Sequence, residues 1–311
     1  MAEEAPESAT VLVVPTESAS PTVTGDEGPG FRPFDALFNG PGYILEFTGE
    51  TFRTENILGM VYMTAGTAGL IATDGWTYER SMEVGDAVGL EHRNEKTLVG
   101  HFHAPVLHNQ VSILELPSNK AGVIYFMGNG WAHALVISGF LGYGVAAGSN
   151  RALHTASQIL EGLASNGLVV VALKMASGRE SPQERTSRNG TWRPFRNPSQ
   201  FFGHAIRYDA MPSGHLANYM STVTIIAENY PEQKWINPLA YLLMVPLGFQ
   251  MVNSGVHWYS DYPLGIYMGY TFGKIVARGG KPPARPQSRL VPIVDPLAFR
   301  GGMGLRLRWG I

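Results

Sequence analysis

Histidines stand in two stretches of the chain where their neighbours suit proton transfer and nucleophilic attack. In MPSGHLANYM, Ser213 is a strong N-cap residue and Gly214 lets the backbone approach a ligand closely, so we expect a helix to begin here. His215 would lie in its first turn, beside backbone N–H groups that have no partner within the helix and attract anions. A histidine there could protonate a leaving oxygen, because its ordinary pKa is near neutral pH.

The second stretch, GVHWYSD, places His257 four residues before Asp261. On a helical turn the two side chains share a face, so Asp261 could accept a hydrogen bond from one imidazole nitrogen. That bond would fix the tautomer and leave the other nitrogen free as a nucleophile. A third stretch, LKMASGRESP, offers Lys174 as a point charge for an anionic oxygen. Together these residues predict a site for an anionic group.

Six apolar segments must position these residues. They are too long for typical strands and lack the alternation of strands, so we predict helices and an all-α bundle. The segments cover residues 56–74, 122–148, 155–175, 215–229, 235–253 and 262–277. If consecutive helices alternate in direction, the end of the third, the start of the fourth and the junction of the fifth and sixth meet at one end of the bundle. The three stretches would then line one pocket.

The last of these segments carries three glycines at four-residue spacing, Gly265, Gly269 and Gly273. Residues at this spacing lie on one face of a helix, and glycines there let a neighbouring helix approach closely. We therefore predict a tight helix contact along this face.

Composition divides the chain into three regions. Residues 1–30 are rich in Glu, Ser, Thr, Pro and Gly, so we expect a disordered tail, and the pattern of a signal peptide is not seen there. Residues 31–280 form the predicted helical domain, in which 75–121 is an inserted connection with polar breaks. Residues 281–311 are a C-terminal extension, whose GLRLRWGI alternates apolar and basic residues like a short strand.

The bulk composition also excludes several classes of protein. A formal net charge of −2 with 15% charged residues argues against a nucleic-acid-binding protein. The absence of cysteine excludes disulfides and thiolate metal sites. Lysines and arginines occur both in the loop after the third segment and in the tail after the sixth. If the segments crossed a membrane, this loop and this tail would lie on opposite sides of it. This distribution predicts a soluble or surface-associated bundle rather than an inserted one.

The three stretches resemble, in their order, the signatures of the type-2 phosphatidic acid phosphatase and vanadium haloperoxidase superfamily. Those signatures read KxxxxxxRP, PSGH and SRxxxxxHxxxD. Here Lys174 and Pro182 keep the spacing of the first, PSGH is complete, and His257 with Asp261 keeps the end of the third. The resemblance is good from about residue 160 to 280 and looser before it.

The resemblance implies an all-α fold with a six-helix core and a phosphohydrolase that acts on a phosphomonoester or a lipid (pyro)phosphate. His257 would attack phosphorus and form a phosphohistidine, Asp261 would orient it, and His215 would protonate the leaving alcohol and later activate water. The phosphoryl oxygens would be held by residues of the first two signatures, Lys174, Ser213 and Gly214. No metal or other cofactor is implied. The implied partners are a phosphorylated small molecule or lipid and a membrane surface, in a bacterial cell envelope.

The chain departs from the signatures at both arginines. Ser181 stands at the arginine position of the first signature, while Gln250 and Met251 replace the serine and arginine of the third. In the family these arginines would cradle the phosphoryl group, and such arginines can be worth roughly 10³ to 10⁵ in rate. Arg179, close to the first signature, is the candidate for a compensating charge.

Two alternatives follow from these replacements. A catalytically degenerate member would bind a phosphorylated lipid or an envelope partner without turnover. Vanadate-dependent halide oxidation is also within the range of the superfamily, but the loss of both arginines counts against it because vanadate must stay bound. Retention of both histidines and of Asp261 favours the phosphohydrolase.

Overall fold

The computed structural model describes residues 30–104, 109–279, 289–299 and 302–310. Within them are nine α-helices: α1 (Asp35–Thr51), α2 (Thr54–Ala87), α3 (Lys120–Phe126), α4 (Gly130–Ala147), α5 (Asn150–Ser177), α6 (Pro198–Gly203), α7 (Gly214–Asn229), α8 (Ile236–Asn253) and α9 (Tyr262–Ala277). Two antiparallel hairpins join β1 (Lys96–Ala104) to β2 (Asn109–Pro117) and β3 (Arg289–Phe299) to β4 (Gly302–Gly310). The tail predicted over 1–30 falls almost wholly outside the described residues and stays a prediction.

The all-α fold is confirmed, and every predicted apolar segment is helical. The second segment divides into α3 and α4, because the side chain of Asn129 caps α4 by accepting a hydrogen bond from the Trp131 amide at 2.9 Å. The alternating residues at the C-terminus form β4, as predicted.

Three helical stretches were not predicted: the short α6, helix α1 and the second half of α2. Helix α1 was missed because Pro41 and two adjacent glycines interrupt its apolar pattern; packing of Tyr43 and Phe47 in the core holds it in place. Helix α2 continues to Ala87, so the connection predicted to start at residue 75 starts at 88 instead. In its second half the buried residues Asp74, Tyr78, Ser81 and Gly85 recur at helical spacing, so one face of this stretch packs against the rest of the protein.

Helix α7 lies at the centre of the core. It contributes to two clusters of buried apolar residues, one with Leu247 and Trp258 and the other with Met268 and Phe272. Helix α9 packs along it more extensively than any other helix does. The start of α7 and the start of α9 are therefore held rigidly next to each other.

The glycine face of α9 makes this contact possible, as predicted. A Cβ atom on Gly265 would lie 2.5 Å from the carbonyl oxygen of Ser213, and one on Gly273 would lie 2.5 Å from the Cβ of Thr224. A Cβ on Gly269 would clash with the carbonyl oxygen of Ala217. The neighbouring atoms are mostly backbone, so they cannot move without moving α7.

Gly265→Ala is accordingly expected to destabilise the protein by about 1–3 kcal/mol, because the added methyl group forces α7 and α9 apart. Gly139→Ala in α4 is the matched control, since a Cβ there meets nothing within 4 Å and alanine favours a helix. Thermal unfolding of the purified protein in detergent measures both. Equal melting temperatures for the two variants would contradict the close packing.

Three helices bear on membrane association. Among the described residues, α2, α4 and α5 are long and apolar enough to cross a membrane. In the most apolar windows of α2 and α4 only 6% and 11% of residues are buried, so their apolar side chains face outward. This finding favours membrane association and weighs against the prediction from charge, which was a soluble or surface-associated bundle rather than an inserted one. That prediction treated Arg179 as an exposed loop cation, whereas its side chain is fully buried in ion pairs.

Candidate active site

A cavity of about 470 Å³ opens where the C-terminal end of α5, the start of α7 and the junction of α8 and α9 meet. The sequence predicted this convergence. Lys174, His215 and His257 line the cavity, one from each of the three stretches. The segment between α2 and β1 also lines it, which the sequence did not predict.

One ring nitrogen of His257 is hydrogen-bonded to the backbone, and the other faces His215. Its Nδ1 lies 2.7 Å from the carbonyl oxygen of Ala210 and 3.6 Å from Oδ2 of Asp261. A carbonyl oxygen only accepts, so Nδ1 carries the proton and donates it to Ala210. The expected orienting bond thus goes to a backbone carbonyl, with Asp261 at ion-pair distance. Nε2 keeps its lone pair and lies 3.3 Å from Nδ1 of His215.

His215 begins α7 much as predicted. The Ser213 side chain caps the helix by accepting a hydrogen bond from the Leu216 amide at 3.4 Å. The His215 ring lies against that of Tyr125, with 4.6 Å between the ring centroids. Burial, followed by the nearby charges of His257 and Lys174, holds the pKa of His215 well below its ordinary value. This shift favours the neutral form of His215 at neutral pH.

The lowered pKa of His215 makes stability depend on pH with a definite sign. Below about pH 6.5 the unfolded chain takes up a proton at this histidine that the folded protein resists, so the free energy of unfolding falls as the pH falls. His215→Gln is expected to show a shallower loss of melting temperature between about pH 7 and pH 5 than the unmodified protein. His204→Gln, at an exposed histidine, should keep the original slope. If the melting temperature falls equally with pH in all three proteins, the lowering of the His215 pKa by burial would be contradicted.

Lys174 lies beside the start of α7, although Ser213 and Gly214 themselves are not among the residues that line the cavity. A Cβ on Gly214 would lie 3.8 Å from Nζ of Lys174, so the lysine side chain runs alongside this glycine. The Ser213 amide donates to the carbonyl oxygen of Asp261 at 3.0 Å and is not available to a ligand. Within the described part of the chain, the amides of Gly214 and His215 have no acceptor. These two N–H groups and Lys174 are the donors that this region offers an anion.

Asp261 belongs to a buried cluster of charges behind the cavity. Arg179 donates from Nη1 to Oδ1 of Asp261 at 2.6 Å and from Nη2 to Oδ2 of Asp74 at 2.5 Å, and all three side chains are fully buried. The Ser260 hydroxyl accepts a hydrogen bond from Nη1 of Arg179 and donates one to Oδ2 of Asp74. The second oxygen of Asp261 accepts the Trp258 amide at 2.7 Å. The carboxylate beside His257 is thus fixed at both oxygens.

Sequence reasoning missed Asp74. The available signal was an acidic residue in the otherwise apolar run GLIATDGW, because ionisable residues in such runs are usually paired and functional.

Residues 155–281 match the model of the PAP2 superfamily. The match supports the assignment of this part of the chain to the PAP2 superfamily. No curated protein and no solved structure matches the chain. PAP2 membership is consistent with phosphatase activity as the general class of reaction.

The two residues at the signature arginine positions have different surroundings in this PAP2 domain. Ser181 lines the cavity, with its amide donating to the carbonyl oxygen of Ile206 at 3.2 Å. Met251 is fully buried in the core cluster of α7 and α8 and does not line the cavity. Its carbonyl oxygen accepts the His257 amide at 3.2 Å, so position 251 contributes to the site through its backbone.

Arg179 does not present its charge to the cavity. Both of its terminal nitrogens bond to the buried carboxylates described above, and it does not line the cavity. Arg179 was the candidate for a compensating charge because it is close to the first signature in sequence, and the structure does not support that role. Two carboxylates distant in sequence attract it instead, because a buried carboxylate without a cation is very costly.

Proposed function

We propose that this protein is a phosphatase that hydrolyses a phosphomonoester or a lipid (pyro)phosphate through a phosphohistidine on His257. The observation that carries the proposal is the state of the His257 ring. Its Nδ1 proton is committed to Ala210, and its Nε2 lone pair lies beside His215 in a cavity that also holds Lys174. This is the arrangement of a nucleophile with an adjacent acid–base group.

In the first step, the Nε2 lone pair of His257 attacks phosphorus and the bond from phosphorus to the leaving oxygen breaks. His215 gives its proton to that oxygen. The dianionic phosphate favours the protonated form of His215, opposing the burial that lowers its pKa in the empty site. Lys174 and the Gly214 and His215 amides offset the charge on the remaining oxygens.

In the second step, the now neutral His215 takes a proton from water. The water oxygen attacks phosphorus, the phosphorus–nitrogen bond breaks, and orthophosphate leaves with His257 restored. Asp261 steadies the positive charge that the His257 ring carries while it is phosphorylated. The same histidine therefore acts as acid and then as base.

Lipid phosphates are the substrate class that we favour within this proposal. The outward-facing apolar residues of α2 and α4 support a position in a membrane, where lipid head groups are concentrated. A bacterial cell envelope is the location that we propose on the same ground.

The experiment uses the full-length protein in detergent with a chelator and no added metal. Phosphate release is measured from p-nitrophenyl phosphate, phosphatidic acid and a prenyl pyrophosphate, and the reaction is acid- and base-quenched to trap phosphoprotein. We expect turnover and a phosphoryl group that is lost in acid, retained in base and located on His257. Phosphatidic acid or the pyrophosphate should be preferred over p-nitrophenyl phosphate. Binding of these compounds without turnover would overturn the proposal and favour the degenerate alternative.

A further inference from the structure

The residue in place of the signature serine has acquired a different role. Gln250 is fully buried, and its Nε2 donates to the carbonyl oxygen of Glu91 at 3.1 Å and to Oδ1 of Asn94 at 3.0 Å. Both acceptors lie in the segment between α2 and β1. Gln250 thus ties this segment to the end of α8, next to His257.

Further hydrogen bonds fix the same segment. Asn253 donates to the Glu91 carbonyl oxygen at 3.2 Å, and Asn94 donates to Oγ of Ser254 at 2.8 Å. Asn119, which lies between β2 and α3, donates to the carbonyl oxygen of Arg93 at 2.8 Å. The backbone around Arg93 is therefore anchored by residues from two separate parts of the chain.

Three cationic side chains line the cavity, and they differ in their partners. Lys96 pairs with Glu115 at 2.7 Å, and Lys174 lies 3.5 Å from Asp209. The part of the chain that the structure describes offers Arg93 no carboxylate within 4.0 Å, and its side chain is exposed. Of these three cations, Arg93 is the one that has no carboxylate partner among the described residues.

We propose that Arg93 binds the phosphoryl group of the substrate and supplies the charge that Ser181 and Met251 do not. This inference rests on the proposed function and adds a phosphate-binding residue from outside the three signatures. A guanidinium group matches phosphate oxygens with two parallel donors, which an ammonium group cannot do. The anchoring of its backbone by Gln250 limits the entropy lost when the side chain binds.

The test compares Arg93→Ala and Arg93→Lys with the unmodified full-length protein, by steady-state kinetics and by calorimetric binding of inorganic phosphate. Arg80→Ala is the matched control, because Arg80 is exposed on α2, pairs with Glu83 and does not line the cavity. We expect kcat/KM and phosphate affinity to fall by about 10- to 100-fold in Arg93→Ala. Arg93→Lys should recover part of the loss, and Arg80→Ala should behave like the unmodified protein.

The outcomes separate this inference from the proposed function. Turnover that is unchanged in Arg93→Ala would overturn the role of Arg93 and leave the phosphatase intact. If the unmodified protein binds phosphate without turnover, weaker binding by Arg93→Ala would still support the role of Arg93, although the proposed function would fail. Equal binding by both proteins, or phosphate binding by neither, would overturn the inference.

Discussion

His257→Ala is expected to lower the rate of phosphate release by at least about 10³-fold and to abolish the trapped phosphoprotein. The physical reason is that the Nε2 lone pair of His257 forms the bond to phosphorus, and loss of a nucleophile costs several orders of magnitude in kcat. The substitution leaves Lys174 and the Gly214 and His215 amides unchanged in the sequence. Phosphate affinity should therefore change far less than turnover, which calorimetry can measure on the same sample.

Misfolding must be separated from loss of the nucleophile, because His257 is buried and its removal leaves the Ala210 carbonyl without a donor. His257→Asn keeps an N–H group of similar polarity and should be as inactive as the alanine variant while unfolding closer to the unmodified protein. His204→Ala, at an exposed histidine outside the cavity, controls for the loss of an imidazole. Turnover by a folded His257→Asn protein would contradict the proposed nucleophile.

Arg179→Met is expected to destabilise the fold by about 3–5 kcal/mol, the largest effect on stability that we expect. The substitution removes the guanidinium group that pairs with two fully buried carboxylates, Asp74 and Asp261. Among the described residues, neither carboxylate has another lysine or arginine partner. Arg179→Lys should recover only part of the lost stability, because one ammonium group cannot donate to both carboxylates in the geometry of the guanidinium group. Chemical unfolding in detergent measures the change in the free energy of unfolding.

A second substitution tests whether the uncompensated carboxylates cause the loss. In the Arg179→Met background, Asp74→Asn removes one buried charge, so the double variant should be less destabilised than the sum of the two single variants. Arg80→Met breaks an exposed ion pair and should change stability by no more than about 0.5 kcal/mol. A loss below about 1 kcal/mol in Arg179→Met would contradict the energetic coupling of this cluster.

Local structure was largely predictable from the sequence. The six apolar segments could be predicted as helices because their length and their lack of strand alternation are local properties of the sequence. The N-cap at Ser213 is local too, because its side chain accepts from an amide only three residues away. Helix α1 was not predictable in this way. Its proline and glycines oppose a helix locally, and the contact of Tyr43 with Glu161 at 2.6 Å lies 118 residues away in sequence.

The site was predictable where its chemistry is local. The four-residue spacing brought His257 and Asp261 within 3.6 Å, and the order of the three stretches indicated that they share a cavity. The hydrogen-bond partner of the His257 Nδ1 was not predictable, because Ala210 lies 47 residues before it and acts through its backbone.

The sequence by itself determined the helices, the order of the motifs and the pair of histidines that the proposed chemistry uses. Only the tertiary structure decided which groups the arginine side chains contact and which arginine lines the cavity. Arg179 pairs with Asp74, 105 residues earlier, and Arg93 lines the cavity because Gln250 anchors its segment from 159 residues further along the chain. The physical reason is that an ion pair or a buried hydrogen bond depends on distance in space, and motif spacing reports only distance along the chain.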